Sequence, residues 1–131
     1  MDVGRQAVVL AAEPVSVGEA RSWLSSLAAG LLARPRREDL ELVVSEIVTN
    51  AIRHGRRGGE ILLAATPKQG YLCVQVTDDG PGFVPRPGAM ASEENGGFGL
   101  FIVERLTRRW GVTREAGRTR VWFELDYDPA E

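Results

Sequence analysis

Apolar residues recur at two different periods along this chain, and the changes of period divide it into helices and strands. Helical spacing predicts one helix over residues 16–33 and a second over residues 36–54, in which the apolar positions are Leu40, Val43, Val44, Ile47, Val48 and Ala51. Strand-like runs cover residues 7–12, 60–66, 71–77, 112–115 and 120–126, and a third helix is predicted over residues 99–110.

The order of these elements is β-α-α-β-β-loop-α-β-β. It predicts an α+β fold, a two-layer sandwich in which a mixed sheet of about five strands carries three helices on one face. Ser16 and Glu19 have the spacing of a capping box, and Gly55 follows the second helix as a C-terminal stop. Residues 67–70 indicate a hairpin turn, and the proline-containing residues 83–94 indicate a mobile loop.

Composition limits the class of protein. A chain of 131 residues with 44% hydrophobic residues suits one domain, spanning residues 1–131, that can bury a core without a metal or a disulfide. Cys73 is the only cysteine, and the net charge of −2 does not favour binding to nucleic acid. With no signal segment and no apolar run of membrane-spanning length, we expect a cytoplasmic protein that does not bind a membrane.

The second helix carries three polar residues four positions apart: Glu46, Asn50 and His54. This spacing places them on one side of the helix, away from its apolar stripe. Asn50 offers a neutral oxygen ligand for magnesium, and Glu46 can accept a proton from an attacking hydroxyl. The alternative is a polar helix face with no catalytic role.

A second motif directly follows a predicted strand. Residues 78–82 form a DxGxG sequence, in which Asp78 can accept a hydrogen bond from an exocyclic amine. The glycines Gly80 and Gly82 would let a flat base approach the backbone. The alternative is a surface turn, because Asp, Gly and Pro are common turn residues.

A third motif, residues 96–100, opens the third helix with three glycines followed by Leu100. Glycines at a helix N-terminus expose backbone amides to an anion, and the helix dipole adds to the attraction. The chain lacks the GxxxxGK[ST] sequence of a P-loop, and Ile102 stands where a dinucleotide fingerprint has its third glycine. The alternative is a flexible loop that ends at a helix.

In this order and context, the three motifs resemble the GHKL ATPases. Residues 46–51 and 76–83 match the first two sequence boxes of that family, and residues 97–100 match the third. The resemblance extends over about residues 8–125 and implies binding of ATP and Mg²⁺.

The resemblance implies a role for each matching position. Asp78 would bind the adenine amine, with Thr119 near it through a water molecule, and Asn50 would ligate Mg²⁺. Residues 83–94 would form the lid over the nucleotide. The ATP-binding residues implied in this way are Asn50, Arg53, Asp78, Gly80, Gly82, Gly97, Gly99, Leu100 and Thr119.

Glu46 is similar to the glutamate of one branch of the family, the small bacterial anti-sigma-factor serine kinases. In that branch it would be the general base for a serine or threonine hydroxyl of a STAS-type anti-anti-sigma partner. The resemblance further implies a homodimer that sequesters a sigma factor, with Arg21 and Trp23 of the first helix as candidate contacts. The alternatives are a non-catalytic ATP-binding module and a detached histidine-kinase catalytic domain.

Overall fold

The computed structural model describes residues 4–80 and 99–128 of the chain. In the described residues, five strands and three helices follow one another in the predicted order. They are β1 (Gln6–Ala11), α1 (Val15–Ala28), α2 (Arg34–His54), β2 (Glu60–Pro67), β3 (Tyr71–Asp78), α3 (Gly99–Leu106), β4 (Arg109–Glu115) and β5 (Arg118–Asp126). The expected α+β class is confirmed. The predicted loop over residues 83–94 lies outside the described residues.

The five strands form one sheet in the order β1-β2-β3-β5-β4. Every neighbouring pair is antiparallel, so the prediction of a mixed sheet was wrong. The reason is the position of the last strand. Because β3 and β4 are each antiparallel to β5, they run in the same direction, but β5 lies between them and separates them.

A two-residue turn sets the register of β5. Ala116 and Gly117 both have positive φ angles, 54° and 75°, as in the tight turns that best suit the twist of a hairpin. The turn is therefore shorter than the predicted four residues, and β5 already begins at Arg118. That register is the one between β4 and β5; in the separate pairing of β5 with β3, Thr119 lies directly opposite Asp78.

The sheet buries one face against the helices. In β3 the buried residues Leu72, Val74 and Val76 alternate with partly exposed ones, and Asp78 takes the next buried position in that series. The buried residues of the strands form a single cluster with those of all three helices. The helices therefore lie on one face of the sheet, as predicted.

The predicted capping box at the start of α1 is wrong. The helix begins at Val15, before Ser16, and has no side-chain cap. The Ser16 hydroxyl instead donates a hydrogen bond of 2.6 Å to the carbonyl of Ala11, the last residue of β1. Ser16 is fully buried, so its hydroxyl satisfies the end of a strand and not a free amide of the helix.

Two helices end earlier than predicted. Helix α1 ends at Ala28, where the amides of Leu31 and Leu32 both donate to the Ala28 carbonyl. Helix α3 ends at Leu106 because the next residues join the sheet: the Arg108 amide donates to the Glu124 carbonyl at 2.8 Å. No helix in the described part of the chain has the length and apolar character needed to cross a membrane.

Leu40 and Leu42 of α2 provide a matched test of this packing. Leu40 is fully buried, whereas Leu42 is 45% exposed. We expect Leu40→Ala to lower the free energy of unfolding by about 2–5 kcal/mol, because it leaves a cavity. Leu42→Ala should lower it by less than about 1 kcal/mol. Urea denaturation measures both, and equal losses would contradict the described orientation of α2.

Candidate functional site

Helix α2 supplies the first part of the site. Asn50 is buried, with 3% of its surface exposed, and no described residue accepts a hydrogen bond from its Nδ2 atom. A buried amide without a partner costs about 1–3 kcal/mol, so a group outside the described residues is expected to bind it. Glu46 lies one turn before Asn50 on the same side of the helix and is half-buried.

Asp78 at the end of β3 supplies the second part. The residue is 6% exposed, and its Oδ1 atom accepts a hydrogen bond of 2.6 Å from the Gly80 amide. Burial raises the pKa of the Asp78 carboxyl, and the charge of Asp79 adds to this. The Gly80 amide and His54 act in the opposite direction. The carboxylate keeps a second oxygen that can accept a hydrogen bond from a ligand.

Gly80 links this carboxylate to α2. A Cβ atom at Gly80 would lie closer than 3.0 Å to the His54 carbonyl oxygen and to the backbone of Gly55. Only glycine permits this close approach of two backbones. The Thr119 hydroxyl, which is buried, donates a hydrogen bond of 3.0 Å to the Gly80 carbonyl. The 78–80 segment is therefore held by the end of α2 on one side and by β5 on the other.

The structure brings together several of the residues that the sequence pointed to. Asp78, Gly80 and Thr119 lie in one hydrogen-bonded group, and the helix that bears Glu46 and Asn50 ends against it. Arg53 is an exposed residue of the last turn of α2. Gly99 and Leu100 begin α3, which packs against α2. Gly82 and Gly97 lie outside the described residues.

The structure adds residues that the sequence reasoning did not assign to the site. Gly55 was predicted only as a helix stop, yet a Cβ atom there would lie 3.4 Å from Asp78 Oδ1 and would overlap the Ala51 carbonyl. Its backbone is extended and not left-handed, so the close contacts explain the glycine. Arg118 forms an ion pair of 3.5 Å with Asp79 beside the same segment. The sequence contains no signal for either contact.

The described residues fit an adenine nucleotide with Mg²⁺. A buried carboxylate can accept from an amine, and Asn50 presents a buried amide whose nitrogen can donate to a phosphate oxygen and whose Oδ1 is a ligand of the kind that Mg²⁺ prefers. No cluster of three or more His, Cys, Asp or Glu side chains that could hold a metal occurs in the part of the chain that the structure describes. One neutral protein ligand suits Mg²⁺, which is often bound chiefly by substrate phosphates and waters.

The fold and these residues define a nucleotide-binding domain of the histidine-kinase type. A family model described as the histidine kinase-like ATPase domain matches residues 10–125, and the chain belongs to this family.

Two named proteins are similar to this chain in sequence. Over 138 aligned positions the chain is 33% identical to a serine-protein kinase, RsbW of Oceanobacillus iheyensis, covering 89% of this chain and 87% of that protein. It is 31% identical to the anti-sigma F factor of Clostridium acetobutylicum over 90 positions, which cover 62% of this chain and 63% of that protein.

Solved structures show the same fold. The structure of the RsbU and RsbW domains of a Mycobacterium tuberculosis protein matches with a TM-score of 0.74 at 22% identity, covering 98% of this chain and 34% of that one. The catalytic domain of histidine kinase ThkA matches with a TM-score of 0.60 at 14% identity, covering 95% of this chain and 99% of that one.

Asp78 should make the stability of the protein depend on pH. Because its pKa is raised in the folded state, the ionised carboxylate lowers stability at neutral pH, and this loss disappears as pH falls through the folded-state pKa toward the unfolded value of about 3.9. We therefore expect Asp78→Asn, which retains an acceptor for the Gly80 amide, to be more stable than wild type at pH 7. The advantage should shrink as pH is lowered toward about 4.

Urea denaturation of wild type and Asp78→Asn across this pH range measures the effect. Glu115→Gln, at an exposed residue of β4, is the control. A difference between Asp78→Asn and wild type that does not change with pH would contradict the burial of the charge.

Proposed function

We propose that this chain is an ATP-dependent protein serine/threonine kinase that phosphorylates a STAS-type anti-anti-sigma factor and sequesters a sigma factor. The observation that carries the proposal is the junction at which α2, bearing Glu46 and Asn50, ends against the buried Asp78 carboxylate. The names of two relatives, a serine-protein kinase and an anti-sigma factor, support this choice of branch.

Base recognition falls to the Asp78 end of the site. The Gly80 amide occupies Oδ1 of the carboxylate, which leaves the other oxygen to accept from the adenine amine. Thr119 contributes by holding the Gly80 carbonyl, and a water beside its hydroxyl would complete the contact with the base. Gly80 supports this contact by letting the backbone that carries its amide lie against the end of α2.

Phosphate binding falls to the last two turns of α2 and to the start of α3. Asn50 is the protein ligand for Mg²⁺, which, when bound, neutralises the charge of the phosphates. The backbone amides of Gly97, Gly99 and Leu100 donate to the phosphate oxygens at the beginning of a helix. Arg53, in the last turn of α2, adds positive charge near them.

Glu46 is the proposed general base. Residues four apart on a helix have Cβ atoms about 5–6 Å apart, so the Glu46 carboxylate lies beside the phosphate end marked by Asn50. The hydroxyl oxygen of a partner serine or threonine bonds to the γ-phosphorus as the bond from phosphorus to the ADP oxygen breaks. The hydroxyl proton passes to the Glu46 carboxylate.

Helix α1 is the proposed contact surface for the protein partners. A surface groove of about 770 Å³ is lined by six residues of α1, among them Arg21, and by Glu41 of α2. Arg21 is exposed and donates to the Ser45 hydroxyl at 3.2 Å, whereas Trp23 is half-buried against the core. The proposal further includes a homodimer that acts in the cytoplasm without binding nucleic acid or a membrane directly.

The first test separates phosphoryl transfer from ATP binding. We expect Glu46→Gln to bind ATP with unchanged affinity and to lose roughly 10²–10⁴-fold in transfer, because only the proton acceptor is removed. The measurement is transfer of labelled phosphate from Mg-ATP to a STAS-domain protein. Glu38→Gln, at an exposed position of the same helix, is the control and should retain transfer.

The chemistry of the label distinguishes the alternatives. Acid-stable phosphoserine or phosphothreonine on the partner supports the kinase, and acid-labile phosphohistidine would indicate a detached histidine-kinase catalytic domain. Binding of ATP with no label on any partner would indicate a non-catalytic module.

The second test addresses the base site alone. Asp78→Asn should weaken ATP binding by roughly tenfold or more, because a hydrogen bond to a charged group contributes about 1.5–3 kcal/mol. Isothermal titration calorimetry with Mg-ATP measures the loss, and Glu115→Gln, at an exposed residue of β4, serves as control. Unchanged affinity in Asp78→Asn would overturn the assignment of the base site.

A further inference from the structure

Gly55 occupies a position in the proposed nucleotide site that its place after a helix does not explain. Its φ of −84° and ψ of −173° are extended, and any residue adopts such a conformation. Backbone freedom is therefore not the reason for a glycine here. The reason lies in what surrounds its Cα atom.

Three groups lie close to the Cα atom of Gly55. A Cβ atom would overlap the Ala51 carbonyl of the last helical turn and would lie 3.4 Å from Asp78 Oδ1. The third group is Gly80, which lies so close that a side chain on Gly80 would overlap the Gly55 backbone. Two glycines thus face each other across the contact between α2 and the 78–80 segment.

This contact acts on the base-binding carboxylate. Asp78 Oδ1 accepts from the Gly80 amide at 2.6 Å, so the orientation of the carboxylate depends on where Gly80 lies. Gly80 lies between Gly55 and β5, and the buried Thr119 hydroxyl of β5 ties it there by a 3.0 Å hydrogen bond to its carbonyl. A displacement of Gly55 is consequently transmitted to the Asp78 carboxylate.

We propose that Gly55 is a positioning residue for nucleobase selection, acting through Gly80 and Asp78. This inference rests on the proposed nucleotide site. Gly55 also connects the base-binding part of that site to Asn50, because it directly follows α2, five residues after Asn50, and a helix is rigid and rises about 1.5 Å per residue. The end of α2 therefore sets the position of the base-reading carboxylate relative to the proposed metal ligand.

Substitution of Gly55 should change selectivity for the base more than binding of the phosphates. The experiment measures the affinities of wild type and Gly55→Ala for Mg-ATP and Mg-GTP by calorimetry. We expect the preference of wild type for ATP over GTP to fall at least tenfold in Gly55→Ala. A merely structural role would weaken the binding of both nucleotides equally and leave the ratio of their affinities unchanged.

Gly30→Ala is the matched control. A Cβ atom at Gly30 meets no atom within 4 Å, and the φ of Gly30 lies outside the left-handed region. The ratio of ATP to GTP affinity in Gly30→Ala should therefore stay within about twofold of the wild-type ratio. Circular dichroism establishes that each variant is folded. Should Gly55→Ala fold and keep the wild-type ratio, the inference is overturned while the proposed nucleotide site stands. Failure of wild type to bind ATP would instead overturn the proposed function.

A measurement on wild type covers the case in which Gly55→Ala does not fold. Adenosine, which has no phosphates, should slow hydrogen exchange at residues 78–80 and also at the end of α2, at His54 and Gly55. Protection confined to residues 78–80 would overturn the proposed coupling.

Discussion

The burial of one carboxylate at the end of a strand is the constraint on which the site depends. Asp78 continues the buried series of β3, at a position where an apolar residue would pack as well. Its charge is tolerated because the Gly80 amide donates to it, and that amide is in place only because two backbones meet without side chains between them. The buried Asp78 charge thus lowers the stability of the fold at a point where a ligand can bind to that charge.

Much of the fold could be predicted because local signals agree with one another. The apolar stripe of α2 places Leu40 and Ile47 in the core, and the alternation in β3 identifies its buried face. That β4 pairs with β5 alone could not be predicted, because it depends on β5 inserting between β3 and β4. Nor could the role of Ser16, whose hydroxyl serves a strand that precedes it in the sequence.

The candidate site, like the fold, could be predicted from the sequence only in part. Motif spacing indicated Asp78, Gly80 and Asn50, since each belongs to a short sequence of recognisable chemistry. Gly55 carries no such mark, because a glycine after a helix is ordinarily explained as a stop. Its contacts come from a segment more than twenty residues later, and only the three-dimensional arrangement reveals them.

The placement of β5 has a consequence for the order of synthesis. Asp78 and Asn50 leave the ribosome well before Thr119, which enters the sheet with the C-terminal strand of the described chain. A nascent chain that ends before β5 has the base-reading carboxylate but lacks the hydroxyl that holds the Gly80 carbonyl. Binding of a nucleotide at the proposed site is therefore expected only after β5 has been synthesised and has joined the sheet.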